Sequence, residues 1–300
     1  MKTFSALLKR NVKLFFKDKG LFFTSLITPL ILLVLYATFL ANVYRDSLQG
    51  IFTAVGVSLS EDLINGAVGG QLLSSLLAVS CITVSFCSNM LMVQDKVSGA
   101  QKDLLMSPVK RSTMALSYYV ATTFSTLLIC LLATIAGLIY ISIIGWYLSV
   151  VDVLLILLDV IILVTFGTAL SSIINHFLST QGQISAVGSI VSSCYGFICG
   201  AYMPLASFSE GLRSVLMFLP GTYGTSLIRN HTLNGVVDKM IKDGLPSEAI
   251  KAFKDAIDLN IYFFDKQVST GVMCAVLLGT VALLIGAYVL INVLSKKKSK

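Results

Sequence analysis

The sequence predicts an all-α integral membrane protein with six transmembrane helices, an amino-terminal amphipathic interfacial helix and a re-entrant helical pair before the last span. Three observations predict it. Of the 300 residues, 56% are hydrophobic and only 12% are charged, against roughly 25% charged residues in a soluble domain. Six apolar segments reach the ~20 residues that a helix needs to cross a hydrocarbon core about 30 Å thick. Basic residues collect beside those segments: 14 of the 22 Lys and Arg lie at the amino end, in a central polar island and in the tail at residues 296–300.

The net charge of +7 and the pI near 9.1 therefore read as topology and head-group charges, because short Lys- and Arg-rich loops stay on the cytoplasmic side and meet anionic lipids. Membrane lipids are expected partners and nucleic acid is not. Both termini are expected in the cytoplasm of a multi-pass plasma-membrane protein, since six spans return the chain to its starting side. The six cysteines, Cys81, Cys87, Cys130, Cys194, Cys199 and Cys274, all fall in apolar segments without a C-x-x-C pair. They read as small apolar fillers rather than as metal ligands or a disulfide framework.

In order, residues 1–20 form a cytoplasmic interfacial helix. Phe4, Leu8, Val12 and Phe15 share one face, and Lys9, Lys13 and Lys17 form a row on another, the pattern of a helix lying in the membrane plane. Residues 21–203 hold five spans, at 21–41, 72–93, 114–146, 153–174 and 183–203. Pro29 is expected to kink the first. The segment 42–70, rich in Gly and Ser, reads as an outer loop. Residues 204–269 form a long outer region. Its first part, 204–229, is too apolar for an ordinary loop and too broken to span twice, and it reads as two short re-entrant helices turning at Pro220 and Gly221. Residues 235–260 read as an amphipathic helical cap. Gly244 ends one helix there, Pro246 starts the next, and Ile250, Phe253 and Ile257 give the latter an apolar stripe. Residues 270–300 supply the sixth span and the basic cytoplasmic tail.

The polar island at residues 94–113 is the first candidate site. A short helix over residues 95–106 would carry an apolar corner at Leu104, Leu105 and Met106, and Pro108 would stop it. A helix on the inner face offers a handle for a soluble partner, while a solvated connecting loop is the plain alternative. Asp159 is a carboxylate well inside a span, where an ionisable residue is expensive and suggests a function or a buried partner. A structural role, met by water or a hydroxyl, is the other reading. Gly188, Ser192, Gly196 and Gly200 recur at i+4 spacing in the fifth span, beside Ser185, Ser189 and Ser193. Small residues let membrane helices approach closely, within one subunit or between two.

Other chemistry is unsupported. The sequence has no G-x-x-x-x-G-K-[ST], no H-E-x-x-H and no G-x-S-x-G, so no P-loop, zinc protease or serine-hydrolase site is indicated. His176 and His231 are expected on opposite sides of the membrane. No catalytic residue, metal ligand or cofactor of this chain is expected.

Two local patterns carry a resemblance to the permease subunit of ABC-2-type ABC transporters. In the island these are Asp95, Lys96, Gly99, Leu104, Leu105, Ser107, Pro108, Lys110 and Arg111. In the outer region they are Gly200, Pro204, Leu219, Pro220, Tyr223 and Arg229. Departures are Ala100, Gln101 and Lys102, where the family usually has Thr-Leu-Glu, and a longer insert after Arg229. The resemblance implies a dimer, with a second copy or a paralogue. Each permease would be docked through a coupling helix on a separate ABC ATPase that holds ATP and Mg. It also implies export, and the uncharged spans rich in Phe, Leu and small residues point to an amphipathic drug, toxin or lipid-like cargo. Polysaccharide or lipid-linked glycan is the second cargo class, and a non-ABC carrier or immunity factor is the alternative of a different kind. An ion-coupled carrier would favour several intramembrane carboxylates or inverted repeats.

Overall fold

The computed structural model describes residues 2–264 and 266–294; the basic tail at 296–300 lies outside them. Among the described residues the fold is all-α apart from one two-stranded hairpin, Tyr262–Phe263 with Lys266–Gln267. Helix α1 spans Lys2–Lys17. Its buried row is Leu7, Asn11 and Phe15, while Lys9, Lys13 and Lys17 are exposed and Phe4, Leu8 and Val12 half-buried. The amphipathic reading therefore holds, with one correction. The most buried face packs on the chain itself, and the apolar face expected to meet lipid is half-buried beside it.

Asp18 caps α2 (Lys19–Leu35), accepting from the Leu21 N–H at 3.1 Å. The helix carries on through Pro29. Its departure from α geometry comes later, in the π-helical segment Tyr36–Leu40, before α3 (Ala41–Ala54) continues the same rod. Much of the expected outer loop at 42–70 is thus helical. So is its second half: α4 starts at Glu61 and runs to Ser88. Ser60 accepts from the Leu63 N–H and Glu61 and Asp62 sit in the first turn, where the unpaired N–H groups and the helix dipole favour negative charge. Gly66, Gly69 and Gly70, which read as loop residues, lie inside this helix where Tyr147, Ile141 and Leu233 press against it.

Helix α5 (Met90–Val97) follows α4 almost directly. The apolar stretch of the combined rod Glu61–Val97 is 89% buried, against 17% for the last span. α4 is accordingly the central helix, with α2, α7, α8, α9 and α11 packed around it. After α6 (Ala100–Met106) come α7 (Arg111–Ile144) and α8 (Val150–Phe177). A reciprocal cap between Ser149 and Asp152 starts α8, satisfying two orphan donors at once.

Among the described residues, five helices are long and apolar enough to cross a membrane: Lys19–Thr53, Glu61–Val97, Arg111–Ile144, Val150–Phe177 and Thr270–Leu294. Residues such as Leu283, Ile143 and Phe39 are largely exposed on them, as lipid-facing side chains are. The segment expected as the fifth span forms α9 (Gln181–Ile198), 18 residues long, which is not one of these five. It falls short of the others in hydropathy because Gln181, Gln183 and four serines dilute it.

The long outer region departs further from expectation. Leu205–Ser207 is a 3₁₀ turn and α10 (Glu210–Leu216) is short, but α11 runs from Pro220 to Lys242. The second arm is thus not a short helix. Pro220 fits its first turn, where the missing N–H costs nothing, and the helix continues because α4, α8 and α13 (Thr270–Leu294) bury its sides. Gly244 then adopts a left-handed φ of 75°, and α12 (Ser247–Ala256) follows Pro246. Phe253 and Ile257 are buried, and the Phe253 ring sits 5.9 Å from that of Phe52, which fastens the cap to the end of α3.

Candidate coupling and translocation sites

The inner site is built at the junction of α4, α5 and α8. Asn89, between α4 and α5, donates to Ser171 and Ser172 Oγ at 2.9 Å each, and Asn175 donates to the Asn89 carbonyl at 3.2 Å. Six residues on, Asp95 takes a bidentate pair from Arg10 of α1, at 2.6 and 3.1 Å, and a hydrogen bond from Tyr118 of α7. Such a forked guanidinium–carboxylate pair fixes orientation as well as charge, and the nearby carboxylate raises the Arg10 pKa above its ordinary value. Asn11 donates to Ser117 Oγ at 3.4 Å alongside. Lys96 points the other way. Its Nζ donates to the carbonyls of Asn175, His176 and Leu178 at 2.9, 2.6 and 3.1 Å, capping the carboxyl end of α8 where unpaired carbonyls gather negative charge. Two neighbouring residues thus tie α5 to three other helices.

The helix expected over 95–106 is therefore two helices, and the break is physical. Gly99 has φ 85°, a left-handed conformation that costs any other residue about 1 kcal/mol or more. Nothing lies within 4 Å of where its Cβ would be, so the glycine serves the turn. Leu104 and Leu105 are half-buried and pack on this chain's own cluster of Met92, Met114, Tyr118 and Tyr288. The exposed apolar corner is Met106, 86% exposed. Ser107 Oγ donates to the Leu104 carbonyl at 2.6 Å as Pro108 ends the helix, and Arg111 opens α7.

The outer residues converge on one node. Arg229, fully buried in α11, donates to the Gly200 carbonyl at 2.9 Å, the Ile257 carbonyl at 2.9 Å and Asp258 Oδ2 at 3.2 Å. Asp258 also accepts from the Leu205 N–H, directly after Pro204, at 2.9 Å. Burial pushes its carboxyl up to about 6, with Arg229 pulling the other way. Gly200 turns the chain at φ 74°. Tyr223 donates to the Met217 carbonyl at 2.7 Å and Thr222 to that of Leu216 at 2.8 Å, closing the bend before Pro220. Gly200, Arg229 and the chain directly after Pro204 thus meet at Asp258, while Pro220 and Tyr223 belong to the separate bend at Leu216 and Met217. Asp258, from the cap, is the partner that the sequence pattern does not announce.

Asp159 also has a partner. His231 Nδ1 lies 2.5 Å from its Oδ2. The histidine comes from α11, in the region expected to stand outside, so the sequence does not announce it as a partner for Asp159. The small-residue row of α9 splits. Gly188 faces Met90, Gly196 lies where a Cβ would strike the ring of Tyr202, and Gly200 belongs to the node. Ser192 is exposed, as are Ser185, Ser189 and Ser193.

Two clefts adjoin these elements. One, of about 560 Å³, lies in the outer cap among Glu210, Arg213, Asp255, Asp258 and Phe263. The other, of about 510 Å³, is an apolar groove between the α2–α3 rod, α4, the turn after α9, and α12. No curated protein matches the chain. The family model described as ABC-2 type transporter matches residues 2–232, which include every span but the last, the inner junction and the outer bend, and the chain belongs to that family.

Proposed function

We propose that this chain is the permease subunit of an ATP-driven exporter, with α5 and α6 as the element through which a separate ABC ATPase moves the spans. Members of the ABC-2 family are transport membrane subunits that generally work with ABC ATPases. The observation that carries the reading is the pairing of a fixed helix with a presented one. Asp95 and Lys96 lock α5 to α1, α7 and α8, while Gly99 turns α6 outward with Met106 uncovered. A partner groove takes such a short apolar helix, with Lys102 and Asp103 at the rim setting orientation. A push on α6 then passes through α5 into the central α4 and the end of α8.

In this reading both termini are cytoplasmic, the protein sits in the plasma membrane, and α10 with the start of α11 forms a re-entrant bend at the outer face. α9 is the sixth membrane helix, and its exposed serine face supports pairing with a second copy or a paralogue. ATP and Mg stay on the ATPase. The cargo is an amphipathic drug, toxin or lipid-like molecule, supported by the uncharged apolar groove along the α2–α3 rod.

Purification from native membranes should bring down an ABC ATPase, and inverted vesicles should accumulate cargo only with ATP. A protein that transports without such a subunit would contradict the reading. For topology, a cysteine at Lys239 should react with an impermeant thiol reagent in intact cells and one at Lys102 should not. The reverse labelling would overturn the orientation.

A further inference from the structure

We infer that the groove beside Tyr44 and Gln71 binds a neutral amphipath whose head carries a hydrogen-bond donor, a hydroxyl or an amide. Its volume of about 510 Å³ lies within the range of about 300–1,000 Å³ of clefts that hold drug-sized ligands. Three observations define the occupant. The open side is apolar, formed by residues such as Phe39 and Phe197, and favours a hydrocarbon body. Among the described residues that line it none is charged, so an ionic head would enter without a counter-charge and be rejected. The inner wall is polar and carries one orphan acceptor. Gln71 is 3% exposed, and its Oε1 has no hydrogen-bond partner. The Tyr44 hydroxyl beside it interacts with Gln71 and Ser75 and lies 3.4 and 3.5 Å from the carbonyls of Ala201 and Tyr202. A ligand hydroxyl or amide would supply the donor that Gln71 Oε1 lacks. The π-helical segment Tyr36–Leu40 brings Phe39 and Leu40 to the same groove, and such turns recur at functional sites.

The assignment of this ligand as cargo rests on the exporter reading; the site itself does not. The test uses the purified full chain in phosphatidylcholine nanodiscs without ATPase. Probes are photoreactive N-oleoylethanolamine, with a neutral donor-bearing head, and methyl oleate, the same chain without a donor. The ethanolamide should bind about tenfold more tightly and cross-link to α3, α4 and the turn after α9. Gln71→Leu removes an atom that has no partner, so the fold should hold while the preference falls to about one. Phe39→Trp, at a side chain 65% exposed, should narrow the groove and weaken both probes. Equal affinity of the two probes for the unaltered protein overturns the proposal. So does an unchanged preference in Gln71→Leu, or cross-linking spread evenly over α7. A disulfide between two copies through Phe39→Cys that excludes the probe makes the groove a subunit interface and also overturns it. Binding that persists while the ATPase complex fails to export the ethanolamide overturns the cargo assignment alone. Lost binding with intact ATP-driven export of another molecule overturns the site alone.

Discussion

The two ends of the molecule, inner and outer in the proposed orientation, each hold an arginine–aspartate pair, and the two differ in what surrounds them. Arg10 and Asp95 have side chains 29% and 8% exposed, whereas Arg229 and Asp258 are at 1% and 7%. The inner pair joins helices at their ends beside a left-handed glycine and a helix with one uncovered corner. The outer pair is sealed by backbone carbonyls from Gly200 and Ile257. A buried pair is worth little against an apolar replacement but costs heavily when broken, because one charge is left alone. A part-exposed pair is screened and yields more easily. The outer node is therefore the firmer anchor, and in the proposed reading the inner junction holds α5 rigidly to its neighbours while α6 beyond Gly99 is the presented part.

The largest effect should follow from breaking the anchor. Arg229→Ala takes the counter-charge from Asp258 and the donor from two carbonyls and should cost about 3–5 kcal/mol, seen as loss of the folded outer region in limited proteolysis and thermal unfolding in detergent. Arg10→Ala, measured the same way, should cost about 1 kcal/mol or less. Equal losses would erase the contrast between the two ends.

A pH series sharpens it. Burial raises the Asp258 carboxyl to about 6 from an ordinary value near 3.9, so the folded state holds that proton more tightly than the unfolded one. The stability this group contributes is fully present below about pH 4 and is lost as pH rises to about 6. The window is worth about 3 kcal/mol. Subtracting the unfolding curve of Asp258→Asn from that of the unaltered protein should expose this slope. A flat difference across pH 4–6 would remove the raised carboxyl from the account.

A smaller effect is expected at the inner turn. Gly99→Ala forces a Cβ into φ 85° and should cost about 1 kcal/mol, with open space around it allowing the chain to fold. Partner binding should weaken with it, because α6 would leave its angle. A variant that folds with unchanged partner affinity would show that the angle is not used.

The spans were legible because crossing lipid demands long apolar runs, and three of them, α7, α8 and α13, lie close to where hydropathy puts them. The start of α4 was not, because Gly66, Gly69 and Gly70 look like a loop until Tyr147 and Leu233 are seen against them. The outer motif was legible as a set of residues, but not its closure by Asp258, 29 positions from Arg229. Arg10 with Asp95, and Asp159 with His231, are likewise distant in sequence, and no local pattern encodes such meetings. In the island the sequence offered Leu104, Leu105 and Met106 as one apolar corner. Of the three Met106 is exposed, and the two leucines are half-buried against the chain's own cluster, a long-range packing that a helical wheel does not encode.

The central claim is that α6 docks and α5 transmits, and two variants separate those roles on one preparation. Met106→Asp changes an exposed side chain, and Lys96→Met removes the cap on α8 without touching α6. Partner pull-down and ATP-driven export should be measured together. The account predicts that Met106→Asp loses the ATPase and export alike, while Lys96→Met keeps the ATPase bound and loses most of its export. If Met106→Asp retains its partner, or Lys96→Met exports normally, the division of labour between the two helices is contradicted.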